Sequence, residues 1–271
     1  MNVLLRPRDI RSLSVIELTV QLRTVEVVDT SLLRALSRDK RTGVRALAAL
    51  HRKRLARIER EAARLDGLCT IEAEQRAEGF PAIAGVDEAG VAPLAGPVVA
   101  AAVVLPEDLR LPHLDDSKRL SPAQRDILYE EIRGRALALG VGRAEIGEID
   151  RLNILQATRL AHRRAILGLP LRPHLVLIDG RYAADVPLPQ LVIVDGDATC
   201  ASIAAASIIA KVTRDRLMVD LARQFPEYGF DVHKGYGTRA HYEAIRRFGI
   251  TPAHRRSFLP ASGQQQALAI G

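Results

Sequence analysis

The sequence predicts an α/β domain preceded by a separate helical extension, and three features carry that prediction. After Phe80, apolar runs recur and close on a carboxylate beside glycine: Ala82 to Gly90, with Asp87 and Glu88; His174 to Gly180, with Asp179; and Leu191 to Asp197, with Asp195, Gly196 and Asp197. Short, wholly apolar runs are the mark of buried strands, and an acid at the carboxyl end is where open α/β sheets carry their sites. Between these runs the apolar residues take helical spacing, whereas before residue 80 helical spacing is all there is.

The 271 residues suffice for one large domain with an appendage. A hydrophobic content of 48% against 26% charged residues is that of a soluble globular protein. No apolar run approaches the roughly 18 residues that span a bilayer, and the start already carries Arg6, Arg8 and Asp9. The chain is therefore expected to be cytoplasmic and unprocessed, with no membrane partner. Cys69 and Cys200 match no metal spacing and read as passive small residues. Aromatics make up 4% and Trp is absent, so a nucleic acid held here would be gripped by its backbone as a duplex rather than stacked as a single strand.

The net charge of +7 is uneven, with 16 Lys/Arg against 11 Asp/Glu up to Phe80. Lys40 to Arg64 alone holds nine basic residues against Glu59 and Glu61. Polyanion binding and a solvated helix face both account for such a run. Leu55, Ile58, Ala62 and Leu65 fall at helical spacing inside it, and Asp66-Gly67 is expected to stop that helix. Ile71 to Gly79 reads as a short acidic helix, which puts the boundary of the extension near Gly79.

The second domain then follows in order. A first strand ends at the acid pair; Gly90, Pro93, Gly96 and Pro97 turn the chain, and Val98 to Leu105 returns as a second strand. The pair reads equally as the acidic end of a hairpin or as two metal ligands. Asp116-Ser117-Lys118-Arg119 is a polar loop ahead of Ser121-Pro122, an N-cap with Pro at the first helical position, so a helix is expected to about Leu139. Such a loop suits phosphate contact, although any polar loop looks the same. A third strand is expected over Val141 to Ile146, a helix over Ile149 to Leu167, the two acid-ended strands, and a long helix over Ala198 to Phe225 with Lys211 and Asp215 one turn apart. A basic and aromatic loop, His233 to Arg239, precedes a helix over Ala240 to Phe248. The tail, Ala261 to Gly271, is expected to be disordered.

Asp87, Glu88, Asp179 and Asp197 could converge, and carboxylates so close need cations or protons to coexist. An all-oxygen set favours Mg²⁺ or Mn²⁺ over zinc, and a pair of such ions can activate water and stabilise the leaving oxygen of a phosphodiester. No serine elbow, phosphate loop or histidine pair at metal spacing competes.

At this point the motifs resemble a known family. Gly85-Val86-Asp87-Glu88-Ala89-Gly90 with Pro93 to Ala100, Asp116-Ser117-Lys118, Leu177 to Gly180, Gly196-Asp197, Ala205 to Asp215 and His233-Lys234-Gly235-Tyr236 are similar, in order, to ribonuclease HII. The resemblance implies a ribonuclease H-like fold, a central five-stranded mixed sheet flanked by helices, over residues 80–260, behind the basic extension of residues 1–79. It implies endonucleolytic cleavage of RNA in RNA/DNA hybrids and of ribonucleotides embedded in duplex DNA, with two Mn²⁺ or Mg²⁺ ions in the substrate complex and a monomeric enzyme. By motif, Asp87, Glu88, Asp179 and Asp197 take the catalytic and metal-binding places. Gly90, Val91 and Ala92 fall where the family's main chain approaches the ribose 2′-hydroxyl, Ser117, Lys118, His233 and Lys234 in the phosphate-binding motifs, and Tyr236 against the sugar.

Two positions depart from the pattern. The family's Gly-Arg-Gly stands here as Gly90-Val91-Ala92, and the Lys usually found before Gly-Asp is Asp195. The acids survive while part of the substrate reader does not. A weakened or non-catalytic hybrid-binding relative therefore stands as the alternative, and a junction-resolving nuclease would explain the acids but not the Asp116 to Lys118 and His233 to Tyr236 loops.

Overall fold

In the computed structural model, residues 5–24 and 29–259 are described; the expected disordered tail, Ala261 to Gly271, lies outside them. The chain divides into two compact units between Arg64 and Leu65. The first holds helices α1 (Val15–Thr24) and α2 (Thr30–Ser37) and most of α3 (Thr42–Leu68). Its core is Leu18, Leu22, Leu32, Leu36, Val44 and Ala48. Asp29 caps α2 by accepting the Leu32 N–H at 2.8 Å. Arg41 ties the entry segment down, donating to Asp39 and to the carbonyls of Leu13 and Ile10. The expected stop at Asp66-Gly67 is passed by one turn's fraction, because Leu65 and Leu68 are buried in the core of the second unit. That packing outweighs the helix-breaking cost of one glycine, about 1 kcal/mol. It also draws α4 (Thr70–Ala77) into the second unit, so the compact units part some fifteen residues (by numbering) before the shift in composition near Gly79.

The second unit is built on strands β1 (Ile83–Ala89), β2 (Val98–Val104), β3 (Ala138–Ala144), β4 (Leu175–Asp179) and β5 (Gln190–Ile193). They form the expected five-stranded mixed sheet in the order β3-β2-β1-β4-β5. β1 is antiparallel to β2 and parallel to β4, and β4 is parallel to β5. Helices α5 (Pro122–Arg135), α6 (Ile146–Leu152), α7 (Ile154–Leu167), α8 (Gly196–Thr199) and α9 (Ala201–Gln224) flank it, followed by α10 (Phe230–His233) and α11 (Arg239–Phe248).

Small residues let two helices lie hard against the sheet. A Cβ at Gly85 would sit 2.2 Å from the Ser202 backbone of α9, and one at Gly142 would sit 2.1 Å from the Ala161 carbonyl of α7. α9 covers one face through Ala204, Ala205 and Ile208 with Ala101 and Val103. α7 covers the other through Ala157, Ala161 and Ala165 with Val98, Ala100 and Ala102. The alternation of β2 residues between the two clusters follows from the two-residue period of a strand.

Element boundaries differ from the sequence reading in four places. α5 begins at its Ser121 cap, which forms a reciprocal box with Gln124, but ends at Arg135. The strand expected from Val141 starts at Ala138, since pairing all seven residues of β2 requires a partner of equal length. The single helix expected over Ile149 to Leu167 is broken at Asn153, whose φ is 70° and whose side chain caps α7 through the Gln156 N–H. The long helix expected from Ala198 is split at Cys200, where the backbone is extended.

Candidate active site

β1 and β4 run parallel as neighbours, so both present their carboxyl ends at one edge of the sheet. Asp87 arrives from β1, Asp179 from the last residue of β4, and Asp197 from the first turn of α8 just after β5. Each offers a carboxylate oxygen, and these atoms all lie within 4.8 Å of one another. The Gly196 N–H donates to Asp179 Oδ1 at 2.7 Å, tying the α8 turn to β4. Burial first, and then the charges of Glu88 and Asp179, push the Asp87 carboxyl well above the usual carboxylate range. Asp179 is also raised, chiefly by burial, against the lowering effect of the Gly196 N–H. The only cation within reach among the described ion pairs is Lys118, with Nζ 3.1 Å from Asp197 Oδ2. Three oxygen donors that oppose each other's ionisation fit a divalent hard cation such as Mg²⁺ or Mn²⁺.

Glu88 takes a different direction. β1 continues as strand to Ala89, so Glu88 must face the side opposite Asp87. Its Oε2 lies 2.8 Å from His162 Nε2 on α7. It lines a hollow of about 250 Å³ together with Val91, Ile154, Asp179, Arg181 and Tyr182. Three of the four acids are thus one tight cluster, and the fourth adjoins it from the other face, near enough for its charge to raise both Asp87 and Asp179.

The remaining sequence candidates fall into two loops. Ser117 is buried with its hydroxyl 2.9 Å from that of Ser207, and Lys118 is exposed but for the contact of its ammonium with Asp197. In the other loop, the His233 ring takes the Gly235 N–H on Nδ1 and donates from Nε2 to the Tyr228 carbonyl at 2.6 Å. Lys234 turns its ammonium back to the Asp231 carbonyl, and Tyr236 is exposed. The turn Gly90-Val91-Ala92 is joined to this second loop through its continuation: the Leu94 N–H donates to the Gly235 carbonyl at 2.9 Å. Gly90 has φ of 95° and meets the Arg214 side chain so closely that a Cβ would sit 2.0 Å from Nε. Val91 and Ala92 are exposed, as is Asp195, which holds a left-handed turn at φ of 54°.

Two residues escaped the sequence reading. Arg214 and Arg255 are buried, and among the described residues neither forms an ion pair. Arg214 donates to the carbonyls of Pro97, Lys234 and Ala95 at 3.0–3.1 Å. Arg255 donates to those of Gly96, Val91 and Gly90 at 2.5–2.9 Å. The two forks therefore hold the turn after the acid pair and the start of the His233 to Tyr236 loop in one arrangement. Burial and the neighbouring Arg214 bring the Arg255 guanidinium down to about 9. Behind them His241 and His254 are buried with their Nε2 atoms 3.1 Å apart, and burial holds both at about 4.

Comparison with known proteins fits this geometry. The family model described as ribonuclease HII matches residues 84–261, and that of the ribonuclease HII N-terminal domain matches residues 14–76. The chain is 50% identical to a ribonuclease HII of Desulfitobacterium hafniense over 86% of this chain and 89% of that one. It is 52% identical to one of Geobacillus kaustophilus over 83% and 86%. Among solved structures, ribonuclease H2 from Pyrococcus horikoshii superposes with a TM-score of 0.56 at 26% identity, over 69% of this chain and 96% of that one.

Proposed function

The chain belongs to the ribonuclease HII family and is a ribonuclease H of type HII; from that premise we propose that it cuts the RNA strand of RNA/DNA hybrids and the bond beside single ribonucleotides embedded in duplex DNA. The ends left would be 5′-phosphate and 3′-hydroxyl, and the cellular role excision of ribonucleotides from DNA by a cytoplasmic monomer. The observation that carries this reading is the convergence of Asp87, Asp179 and Asp197 within 4.8 Å at the end of parallel strands.

With Glu88, these residues would hold two Mn²⁺ or Mg²⁺ ions, which supply an activated water and charge stabilisation at the leaving oxygen. The protein's own part is positioning. Lys118, exposed along its stem, would leave Asp197 for a backbone phosphate once a divalent cation takes its place, since an ammonium is a mobile point charge. The Tyr236 ring is exposed and planar, suited to lying against a sugar. The carbonyls of Gly90 and Val91 are fixed by Arg255, so the main chain there is pre-arranged for a ribose even though Arg and Gly are missing from the family triplet. The exposed arginines and lysines of α3 would grip the duplex backbone without reading sequence.

A second reading, a hybrid-binding relative with little catalysis, draws on Val91 and Ala92 alone. A duplex carrying one ribonucleotide, a continuous hybrid and an all-DNA duplex, each with Mg²⁺ or Mn²⁺, separate the two. Cleavage of the first two and not the third is the expected result. Tight binding of the hybrid with no cleavage under either ion would replace the proposal by the second reading.

A further inference from the structure

His162 is one of the most deeply placed polar side chains of the second unit, 3% exposed on a helix whose neighbouring positions, Ala161 and Ala165, are core. Nothing about the apolar face of α7 asks for an imidazole there. Its Nε2 lies 2.8 Å from Glu88 Oε2. A carboxylate only accepts, so Nε2 carries the proton and the ring donates. Among the described residues Nδ1 has no hydrogen-bond partner, so the ring carries the cost of a buried, unmatched nitrogen. The bond to Glu88 is the ring's one hydrogen bond among the described residues.

Glu88 itself has a choice of directions. It sits one residue after Asp87 on a strand, so its side chain leaves on the face opposite Asp87, at the lip of the hollow that Asp179, Val91, Arg181 and Tyr182 also line. A glutamate has three rotatable bonds, and without an anchor it would sample that hollow. The hydrogen bond from His162 fixes one carboxylate oxygen and leaves the other for a ligand. We propose that His162 is a positioning residue for Glu88: its Nε2–H holds the carboxylate beside the acid cluster so that Oε1 can complete the oxygen set of a divalent cation. This rests on the reading of the acids as cation ligands.

The test is Mn²⁺ binding to the full chain by calorimetry, without substrate. His162→Met, which fills the volume without a donor, should weaken Mn²⁺ about 10- to 100-fold, the usual loss when a ligand's hydrogen-bond partner is removed. His162→Gln, whose amide can still donate, should recover most of that loss. In a Glu88→Ala background, His162→Met should then change the affinity by less than about 2-fold, because the carboxylate being positioned is gone. Wild-type affinity in His162→Met, or equal weakening by Met and Gln, would overturn the proposal. Asp179→Asn separates this from the underlying reading: if Mn²⁺ affinity survives that change, the acid site itself is wrong, whereas its loss there with an unaffected His162→Met sinks only the positioning role. A measurement independent of how the variants fold is nitrogen NMR of the imidazoles. The wild type should show a protected Nε2–H resonance for His162, and its absence would equally overturn the proposal.

Discussion

The acid cluster and the arginine forks lie on either side of the same turn, and both gather like charges out of water. Asp87, Asp179 and Asp197 are acceptors in a place where the backbone offers few donors, so their charges stay opposed. Arg214 and Arg255 are donors in a place crowded with carbonyls, and six backbone oxygens absorb their N–H groups. The difference is one of completeness. The forks are satisfied from within the chain, while the acids keep charges that oppose one another, which the proposed cations would neutralise. Stability and activity should accordingly respond in opposite senses to changes in the two places.

The sharpest way to break the comparison is Asp179→Asn. It removes one of the mutually opposed charges, so cleavage should fall by three orders of magnitude or more, about 4 kcal/mol in the barrier. The cation-free protein should meanwhile melt no lower than wild type, and bind hybrid in EDTA about as well. A variant that unfolds instead would make Asp179 structural, like the arginines.

Next in size, Arg255→Leu should leave the carbonyls of Gly90, Val91 and Gly96 without donors, at roughly 3–5 kcal/mol of stability in a urea titration. Activity should fall only as far as the turn loosens. A stability loss below about 1 kcal/mol would mean that water replaces the guanidinium there, and that the forks are no more self-sufficient than the acids.

The last effect is in pH, where each group taken singly contributes least. His241 and His254 are held neutral, at about 4 against the ordinary 6.5. Between those values the folded state binds fewer protons than the unfolded, so their contribution is complete above about 6.5 and is lost as pH falls through 4, on the order of 1–3 kcal/mol each. Asp87 and Asp179, raised above the ordinary carboxylate range, act the other way: cation-free stability falls as pH climbs from about 4 toward their raised values. Melting temperatures scanned across pH in EDTA should therefore pass through a maximum, and Mn²⁺ should lift the alkaline side while leaving the acid side in place. An acid side equally lifted by Mn²⁺ would show that the histidines are not the groups titrating there.

Much of this was legible in the residues, and the reasons are local. Each strand that brings an acid is an apolar run closed by Asp or Glu and glycine, so the sheet's carboxyl edge and three convergent carboxylates could be read directly. The direction of Glu88 could not, because it depends on β1 running on to Ala89, and His162 gave no sign among Arg163, Arg164 and the leucines of an ordinary amphipathic helix. Arg214 and Arg255 were hidden for a related reason. Written next to Asp215 and Arg216, or to Arg256, an arginine looks like a solvated surface residue, and only the fold reveals that its partners are carbonyls, five of the six more than a hundred positions away. The breaks at Asn153 and Cys200 are local backbone turns, a positive-φ cap and an extended residue, that leave the apolar spacing on either side unchanged.

The reach of Arg255 also bears on how the molecule comes into being. Its guanidinium closes on Gly96, 159 residues earlier in the chain, and on Val91 and Gly90 at still longer separations. A polypeptide emerging from the ribosome can pair β1 with β2 and begin its sheet, but the carbonyls of Gly90, Val91 and Gly96 lack these donors until residue 255 is made. Contacts of such sequence separation are slow to form, since the entropy of closing the intervening loop is spent before they contribute. A chain cut short before residue 255 would therefore carry all four acids beside a turn that lacks the Arg255 donors.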